Sequence, residues 1–496
     1  MRHNFIYSVL VIAITTFVLI VPAYGGGVSV VNETTIPTTC STVTYSAPSG
    51  TANNIVFAFD KPYICGQFAN GDWWVAPNTG DSGVTITAIS PTAASGHNGY
   101  EVNPTSVTQQ GYEISAEVPY NAAFMPALPL TITADSSVVK AVSYLPAGRP
   151  QLQFAAVLTI LTTPLANSDQ YFRPPYFGTS KPLRNISTID IAKLPKYAAT
   201  GLPAVPSYTI AHVADLYQRV QLDNWNSFLG RDMHPMDNIP NDYGAQIATN
   251  SGVALTRLLL DDFDYAIPID KLALINYLQM AIDLKSMADG GNTWPQNGGH
   301  ANGRKLPLVF AGWILNDSSF STSIAASEFS EDTQIWRSPV TGKVLFGVAL
   351  ATDYAYWKDT LTGSGSQTGR DPYGYVDGGG YQIGADYQSC CTSMPWKYTV
   401  LALYMTGLTT QFDPDNRLAE YVERWVSSGA IATPDPCAPY DGNPANYGIT
   451  FGPDGKGGCI PGSGRWPSAN GINANNGGYQ DTFGNQLWDW WKKTHP

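Results

Sequence analysis

The sequence predicts a multidomain α and β protein in which an N-terminal β-sandwich is followed by an α/α toroid. Residues 26–161 contain short runs rich in β-branched residues, separated by Asn, Gly, Ser and Pro. Such runs are typical of a sandwich. From residue 207 onward, apolar residues recur every three or four positions, which indicates amphipathic helices. With 496 residues, the chain is long enough to bury more than one core.

The β region carries five clear strand patterns, with adjacent tryptophans, Trp73 and Trp74, between the first two. Neighbouring residues of a strand face opposite sides of the sheet, so we expect one ring in the core and the other partly exposed. The five predicted strands are Ile55–Phe59, Val84–Ile89, Leu130–Thr133, Val138–Val142 and Phe154–Leu161.

Residues 162–206 are rich in proline and lack periodicity, which predicts an ordered linker between the two domains. Within it, Arg173 precedes two prolines and is presented rigidly. We expect Arg173 either to reach a substrate groove or to form a structural salt bridge.

The helical region spans residues 207–496 and has long glycine-rich loops at 363–384 and 434–479. Long loops inside a compact domain are usually functional. Repeated helical hairpins with such loops at one end predict the toroid. The predicted helices are Ile210–Leu229, Ala245–Leu260, Ile269–Ala288, Lys305–Leu315, Val344–Tyr356, Pro395–Met405 and Asn416–Val426.

The N-terminus, residues 1–25, predicts a secretory signal peptide. Arg2 precedes an apolar run, Phe5–Val21, and small residues follow at Ala23 and Gly25. An uncleaved anchor is the alternative. Cleavage would change the formal charge from −12 to −13 by removing Arg2. This acidity argues against nucleic acid and against an anionic membrane as partners, because both require a basic surface.

Six cysteines in an exported chain favour disulfides. Local pairing is expected between Cys40 and Cys65, and between Cys437 and Cys459. The neighbours Cys390 and Cys391 could form a vicinal disulfide or pair elsewhere, but we expect them to be buried and reduced. The cysteine and histidine spacings predict no metal site.

Only six histidines are present, and two of them, His234 and His300, lie in polar loops of the helical region. His234 shares its loop with Asn238 and Tyr243, whereas Tyr387 precedes the Cys390-Cys391 pair and a predicted helix. The loop of His300 also contains Asn297, Asn302 and Arg304.

These residue types suit β-elimination on a uronic acid. The carboxylate beside the acidic C–H must be neutralised by Asn, His or Arg so that the developing enolate is stabilised. A His or Tyr then removes the proton, and a Tyr protonates the leaving oxygen. This chemistry needs no metal or other cofactor.

A β-sandwich joined to a toroid with loop-borne Asn, His, Arg and Tyr resembles the toroid polysaccharide lyases, including alginate, glucuronan and heparinase-type enzymes. The resemblance covers residues 207–496 and rests on architecture and residue types rather than on a motif. The order of domains differs from several of these families, which place the sandwich after the toroid.

The resemblance implies a secreted, cofactor-independent lyase acting on an anionic, uronic-acid-containing polysaccharide. It matches the family order of Asn, His and Tyr to Asn238, His300 and Tyr387. His300 would act as base or carboxylate neutraliser and Tyr387 as acid or base, and Asn238 with Arg304 would hold the carboxylate. His234 is the competing histidine. The expected substrate-binding residues are Tyr243, Asn297, Asn302, Arg173 and Trp396.

Two other classes of protein stay open. A glycoside hydrolase would need two carboxylates, for which the candidates are Asp261, Asp262, Asp353, Asp377 and Asp386. A noncatalytic carbohydrate-binding surface protein would explain the aromatic content of 12% and the disulfides.

Overall fold

The structure is a computed structural model. It describes residues 38–47, 53–145, 151–198, 202, 208–225, 233–235, 243–339, 341–347, 385–428, 459–461 and 478–495. The predicted signal peptide, Asn238 and Cys437 lie outside these ranges. Most of the described strands precede the helices along the chain, and the protein has a mixed α and β fold, as the sequence predicts.

The N-terminal region forms a curled sheet. Its strands are β1 (Thr38–Tyr45), β2 (Ile55–Gln67), β3 (Trp73–Ala76), β4 (Val84–Ser90), β5 (Tyr100–Val102), β6 (Leu130–Ile132), β7 (Ser136–Ser143) and β8 (Leu152–Ile160). The strand order is β5-β7-β8-β3-β2-β4-β6, with β1 paired to β2. Pairing is antiparallel except between β3 and β8. All five predicted strands form, but these eight strands make one sheet, so the two sheets of a sandwich are not confirmed.

Alternating burial anchors this sheet. In β2, Ile55 and Phe57 are fully buried, while Val56 between them is half-buried. The same alternation buries Trp74 completely and leaves Trp73 partly exposed, as expected. The predicted Cys40–Cys65 disulfide joins β1 to β2, with Cα atoms 5.9 Å apart.

The proline-rich segment after β8 contains a short ribbon of β9 (Tyr171–Phe172) and β10 (Arg184–Asn185). Arg173 follows β9 and is buried between two carboxylates. Its Nε donates to Asp72 at 2.7 Å, and its Nη1 donates to Asp283 at 3.1 Å. Asp72 belongs to the sheet region and Asp283 to the helical region, so this ion pair joins the two. The salt-bridge alternative is therefore confirmed for Arg173, and the expectation of substrate contact is corrected.

The helices are α1 (Ile210–Leu216), α2 (Gly244–Arg257), α3 (Pro268–Asp289), α4 (Lys305–Ile314), α5 (Ser319–Ala326), α6 (Ser330–Thr333), α7 (Ala385–Cys391), α8 (Ser393–Thr406), α9 (Thr409–Phe412), α10 (Arg417–Ser428) and α11 (Thr482–Thr494). Six of the seven predicted helices have counterparts among them, but the first, predicted to reach Leu229, ends at Leu216. The ring-shaped arrangement of a toroid stays a prediction.

The predicted helix Val344–Tyr356 is wrong at its start. Val344–Phe346 is a strand, β12, which pairs with β11 (Ile335–Arg337). Three consecutive apolar residues fit either kind of element, and β-prone Val and Phe favour a strand. Gly347 follows with φ +117°, a conformation that interrupts a helix.

A shared hydrophobic core joins the sheet to the helices. Leu152 and Tyr112 of the sheet region belong to the same buried cluster as Trp225 and Trp396 of the helical region. Close packing of α2 on α8 depends on Gly252, where a Cβ would lie 2.5 Å from the carbonyl carbon of Tyr398. Among the described helices, none has the length and hydropathy required to cross a bilayer.

Candidate functional site

The loop from Asn297 to Arg304 is held by side chains of the short helix α6. Gln334, which follows α6, donates through Nε2 to the carbonyl oxygen of Gly298 at 2.8 Å. Ser330 donates through Oγ to Oδ1 of Asn302 at 2.6 Å. Glu331 accepts the Gly303 N–H at 2.7 Å. Because these three side chains form hydrogen bonds with the loop, the backbone around His300 is held in a defined conformation.

Tyr387 lies against this loop from helix α7. Its phenolic oxygen accepts the backbone N–H of Gly299 at 2.9 Å. The hydroxyls of Tyr387 and Tyr243 share a short hydrogen bond. Tyr243 precedes α2 and is buried, whereas Tyr387 is half-buried. The two predicted tyrosines therefore meet at a single hydroxyl pair.

His300 completes this group. Its half-buried ring stands edge-on against the ring of Tyr243, with centroids 4.8 Å apart and planes at 89°. Gly299, the residue before His300, donates to Tyr387. The structure thus brings together three sequence-predicted residues: His300, Tyr243 and Tyr387. We call them the tyrosine–histidine cluster.

Glycines make this close approach possible. A Cβ at Gly299 would lie 2.6 Å from the hydroxyl oxygen of Tyr243 and 2.7 Å from the carbonyl oxygen of Cys391. Gly298 has φ +58°, and a Cβ there would overlap the Tyr387 hydroxyl. The Gly298-Gly299 pair is therefore required both for the turn and for the position of the tyrosine hydroxyls.

Helix α7 is fixed by Gln388, the residue after Tyr387. Its buried Oε1 accepts hydrogen bonds from the Tyr421 hydroxyl at 2.7 Å and from Nε1 of Trp425 at 2.8 Å. Its carbonyl oxygen accepts Oγ of Ser393 at 2.8 Å. Both rings belong to α10, so Gln388 ties the helix that carries Tyr387 to the core.

Arg304 is buried in an internal ion pair. Its side chain is 1% exposed. Its Nε and Nη2 donate to the two carboxylate oxygens of Asp223 at 2.6 and 2.9 Å. Its Nη1 donates to the carbonyl oxygens of His300 and Asn302 at 2.9 and 2.7 Å. This geometry corrects the expectation that Arg304 holds a substrate carboxylate: the guanidinium is bound bidentately inside the protein and fastens the His300 loop to Asp223.

Burial alone would raise the pKa of Asp223, but the positive charge of Arg304 opposes it, and His234 adds to this effect. The pKa of Asp223 therefore falls below its ordinary value. Asp223 was not among the predicted site residues, because it lies 81 positions from Arg304 in sequence.

His234 lies on the other side of the same carboxylate. Its Nε2 is 3.8 Å from an oxygen of Asp223, and its side chain is 1% exposed. Within the described residues, neither ring nitrogen has a hydrogen-bond partner. His234 is therefore buried behind the Asp223–Arg304 ion pair, whereas His300 lies half-buried with the tyrosines. Of the two predicted histidines, His300 is therefore the more exposed.

Two other predicted substrate-binding residues are buried in the protein interior. Asn302 is buried, and its Nδ2 donates to the carbonyl oxygen of Cys391 at 2.8 Å while its Oδ1 accepts from Ser330. Trp396 is fully buried in the core of α8. Both expectations of substrate contact are corrected, because buried side chains with internal partners cannot reach a ligand. Asn297 stays half-buried beside the cluster, and its carbonyl oxygen accepts the His300 N–H at 3.1 Å.

Cys390 and Cys391 form a vicinal disulfide, so the expectation that they are reduced is wrong. The disulfide lies at the C-terminal end of α7, one turn after Tyr387. Cys391 is buried with Tyr243 and Ala245, and Cys390, Tyr387 and Tyr479 pack against them while remaining half-buried. Tyr479 was missed, because it lies far along the chain in a glycine-rich stretch.

Glu331 has an unusual environment beneath the loop. It is fully buried, and desolvation raises its pKa to about 7, with the Gly303 N–H opposing this shift. It therefore changes charge near neutral pH directly under the backbone of the His300 loop. Nothing in its local sequence distinguishes it from an ordinary helix-start glutamate.

No group of three metal-ligating side chains occurs among the residues that the structure describes. Of the proposed hydrolase carboxylates, Asp262 is ion-paired with Arg257 at 2.6 Å. Asp353 and Asp377 lie outside the described residues.

Comparisons with protein-family models, curated proteins and solved structures find no match to this chain.

Proposed function

We propose that the protein is a secreted polysaccharide lyase that cleaves a uronic-acid-containing glycan by β-elimination, on a helical toroid that follows a β-sandwich. The observation that supports it most is the Tyr387 hydroxyl, which is hydrogen-bonded by Tyr243 and by the Gly299 N–H beside His300. Positioned hydroxyl and imidazole groups are the acid and base that this reaction requires.

In the proposed reaction, His300 accepts the proton from C5 of the uronate. The electron pair of that C–H bond forms the C4–C5 double bond, and the C4–O bond breaks with its pair on oxygen. Tyr387 donates its proton to the leaving oxygen. Tyr243 is hydrogen-bonded to Tyr387 and supplies the path by which the proton is replaced.

Neutralisation of the substrate carboxylate is assigned to Asn238, as the sequence suggests, and not to Arg304. Arg304 instead acts as a positioning residue, because it holds the backbone of His300 through its carbonyl oxygen. Asp223 is the partner of that cation inside the protein, and His234 lies 3.8 Å from the same carboxylate.

The test is incubation of the purified protein with alginate, glucuronan, pectate and glycosaminoglycans, with ultraviolet absorbance followed for the conjugated unsaturated product. A lyase gives rising absorbance with at least one glycan. New reducing ends without absorbance would contradict the proposal in favour of a hydrolase. Binding without any cleavage would contradict it in favour of a noncatalytic carbohydrate-binding protein.

A further inference from the structure

The vicinal disulfide presents an apolar surface next to the tyrosine–histidine cluster. Cys390 is half-buried at the end of α7, while Cys391 is 4% exposed beneath it. The half-buried rings of Tyr387 and Tyr479 flank it. These three half-buried side chains pack on the same buried cluster, and with Cys391 we call them the disulfide platform (Tyr387, Cys390, Cys391 and Tyr479).

The platform is built rigidly. A disulfide between neighbouring residues closes a ring that leaves neither sulfur free to change rotamer. The carbonyl oxygen of Cys391 accepts Nδ2 of Asn302 at 2.8 Å, which fixes the platform to the His300 loop. On its other side, a Cβ at Gly478 would lie 3.0 Å from Sγ of Cys390, so the backbone before Tyr479 passes directly beside the sulfur. A rigid surface loses little conformational entropy when a ligand binds.

The chemistry of the platform suits the C–H face of a sugar ring. A disulfide carries no charge and no hydrogen-bond donor, so covering it with an apolar surface leaves no unsatisfied polar group. Tyrosine adds an apolar ring with a polar tip. Binding sites are typically of this composition, mostly apolar with a few polar groups that fix orientation.

The position of the platform relates it to the proposed reaction. Tyr387 and the half-buried Cys390 are three residues apart on one helix and so lie on the same face. A sugar ring resting on Cys390 would therefore have the Tyr387 side chain beside it. The neighbouring Gly299 N–H and Tyr243 hydroxyl already bind that oxygen.

We propose that the disulfide platform is a sugar subsite, in which one pyranose ring of an acidic glycan packs its C–H face on the half-buried Cys390 of the vicinal disulfide and on the ring of Tyr479. The inference rests on the proposed function, because it takes the tyrosine–histidine cluster as the reacting centre. It adds a substrate-binding role for a disulfide that no sequence motif assigns.

The test measures binding separately from cleavage, by calorimetry with glucuronan and alginate oligosaccharides of defined length. Tyr387→Phe serves as the background, because it retains the ring and removes the reacting hydroxyl. In this background, Cys390→Ser/Cys391→Ser is expected to weaken binding about tenfold or more. The matched control is Cys40→Ser/Cys65→Ser, which removes the β1–β2 disulfide and is expected to leave binding unchanged.

Tyr479→Ala provides a second variant that leaves both disulfides in place, and it is also expected to weaken binding. Unchanged binding in either the Cys390→Ser/Cys391→Ser variant or Tyr479→Ala would overturn the subsite while leaving the lyase proposal untouched. Binding by the native chain without cleavage, lost on removal of the platform, would support the subsite and contradict the lyase. Absence of binding to every oligosaccharide would overturn the subsite.

Discussion

The backbone N–H of Gly299 donates to the phenolic oxygen of Tyr387 across 2.9 Å, so the histidine loop and helix α7 meet at one atom. Gly299 lies 88 residues before Tyr387 in the chain. The contact positions the hydroxyl without using its proton, because the N–H is the donor. In the hydrogen bond that the same oxygen shares with the Tyr243 hydroxyl, either hydroxyl can be the donor.

Replacing Tyr387 by Phe should lower kcat by about 10²-fold or more, the range expected for loss of a general acid. Initial rates of unsaturated product formation measure the effect. Tyr404→Phe is the matched control, because it also removes a tyrosine hydroxyl. That hydroxyl donates to Glu423 at 3.1 Å and does not belong to the tyrosine–histidine cluster. Equal rates for the native protein and Tyr387→Phe would show that Tyr387 is not the general acid.

Gly298→Ala should displace the Tyr387 hydroxyl and lower activity. Its Cβ would overlap that hydroxyl, and φ is +58°. The control is Gly291→Ala, where φ is +88° but no atom lies within 4 Å of the added Cβ. Both changes cost about 1–2 kcal/mol of backbone strain. Only Gly298→Ala should reduce activity beyond its effect on thermal stability, and similar activity losses in both would contradict the account.

Asp223→Asn should destabilise the protein by about 3–5 kcal/mol, because it leaves the buried Arg304 cation without its counter-charge. Urea unfolding at neutral pH measures this change. Asp289→Asn, which breaks the partly exposed ion pair with Lys285, should cost about 1 kcal/mol or less. A loss of that same small size for Asp223→Asn would show that the buried ion pair is not a structural requirement.

The pKa of Asp223 is depressed in the folded protein, so its stabilising effect is present above the ordinary carboxyl range and is lost as pH falls through the folded pKa. Native protein should therefore lose stability in acid more steeply than Asp223→Asn. Parallel acid-unfolding curves would contradict this assignment.

Glu331 should make stability depend on pH in the opposite direction. Burial raises its pKa from 4.5 to about 7, so its contribution is full below the unfolded pKa and is lost as pH rises through the folded pKa. Relative to Glu331→Gln, the native protein should lose up to about 3 kcal/mol of its free energy of unfolding as the pH rises from 4.5 to about 7. Urea unfolding across this range measures the difference.

Glu101 offers a comparison for Glu331, since burial also raises its pKa to about 7 and it accepts the Gly111 N–H at 2.6 Å within the sheet region. Glu101→Gln should flatten the stability profile in the same way without changing the pH profile of activity. Glu331→Gln should change both, because it bonds Gly303 of the His300 loop. Identical activity profiles for the two variants would contradict the role of Glu331 in positioning the loop.

Sequence periodicity predicts most of the secondary structure, because strands and long helices carry their burial pattern locally. Helix α3 is predicted within one residue at each end, aided by Pro268 at its start. The failure at Val344–Phe346 has a local cause, since three apolar residues cannot distinguish a period of two from a period of 3.6.

The site is predicted only where loop composition carries the information. Residue type and local composition identify His300, Tyr243 and Tyr387 as candidates, and the three meet in the structure, although Tyr387 lies in helix α7 and not in a loop. Arg304 has the same local appearance, but its partner Asp223 lies 81 residues away. Whether a cation is free or paired depends on such distant contacts, which one sequence does not encode locally.

Mass spectrometry of the products distinguishes β-elimination from hydrolysis. Elimination adds no water, so the two fragments of a defined acidic oligosaccharide should sum to the mass of the substrate, and one should absorb as an unsaturated uronate. We also expect the His300→Ala variant to form no unsaturated product and the His234→Ala variant to form it still. Fragments that together exceed the substrate by one water, with no absorbing species, would contradict the account.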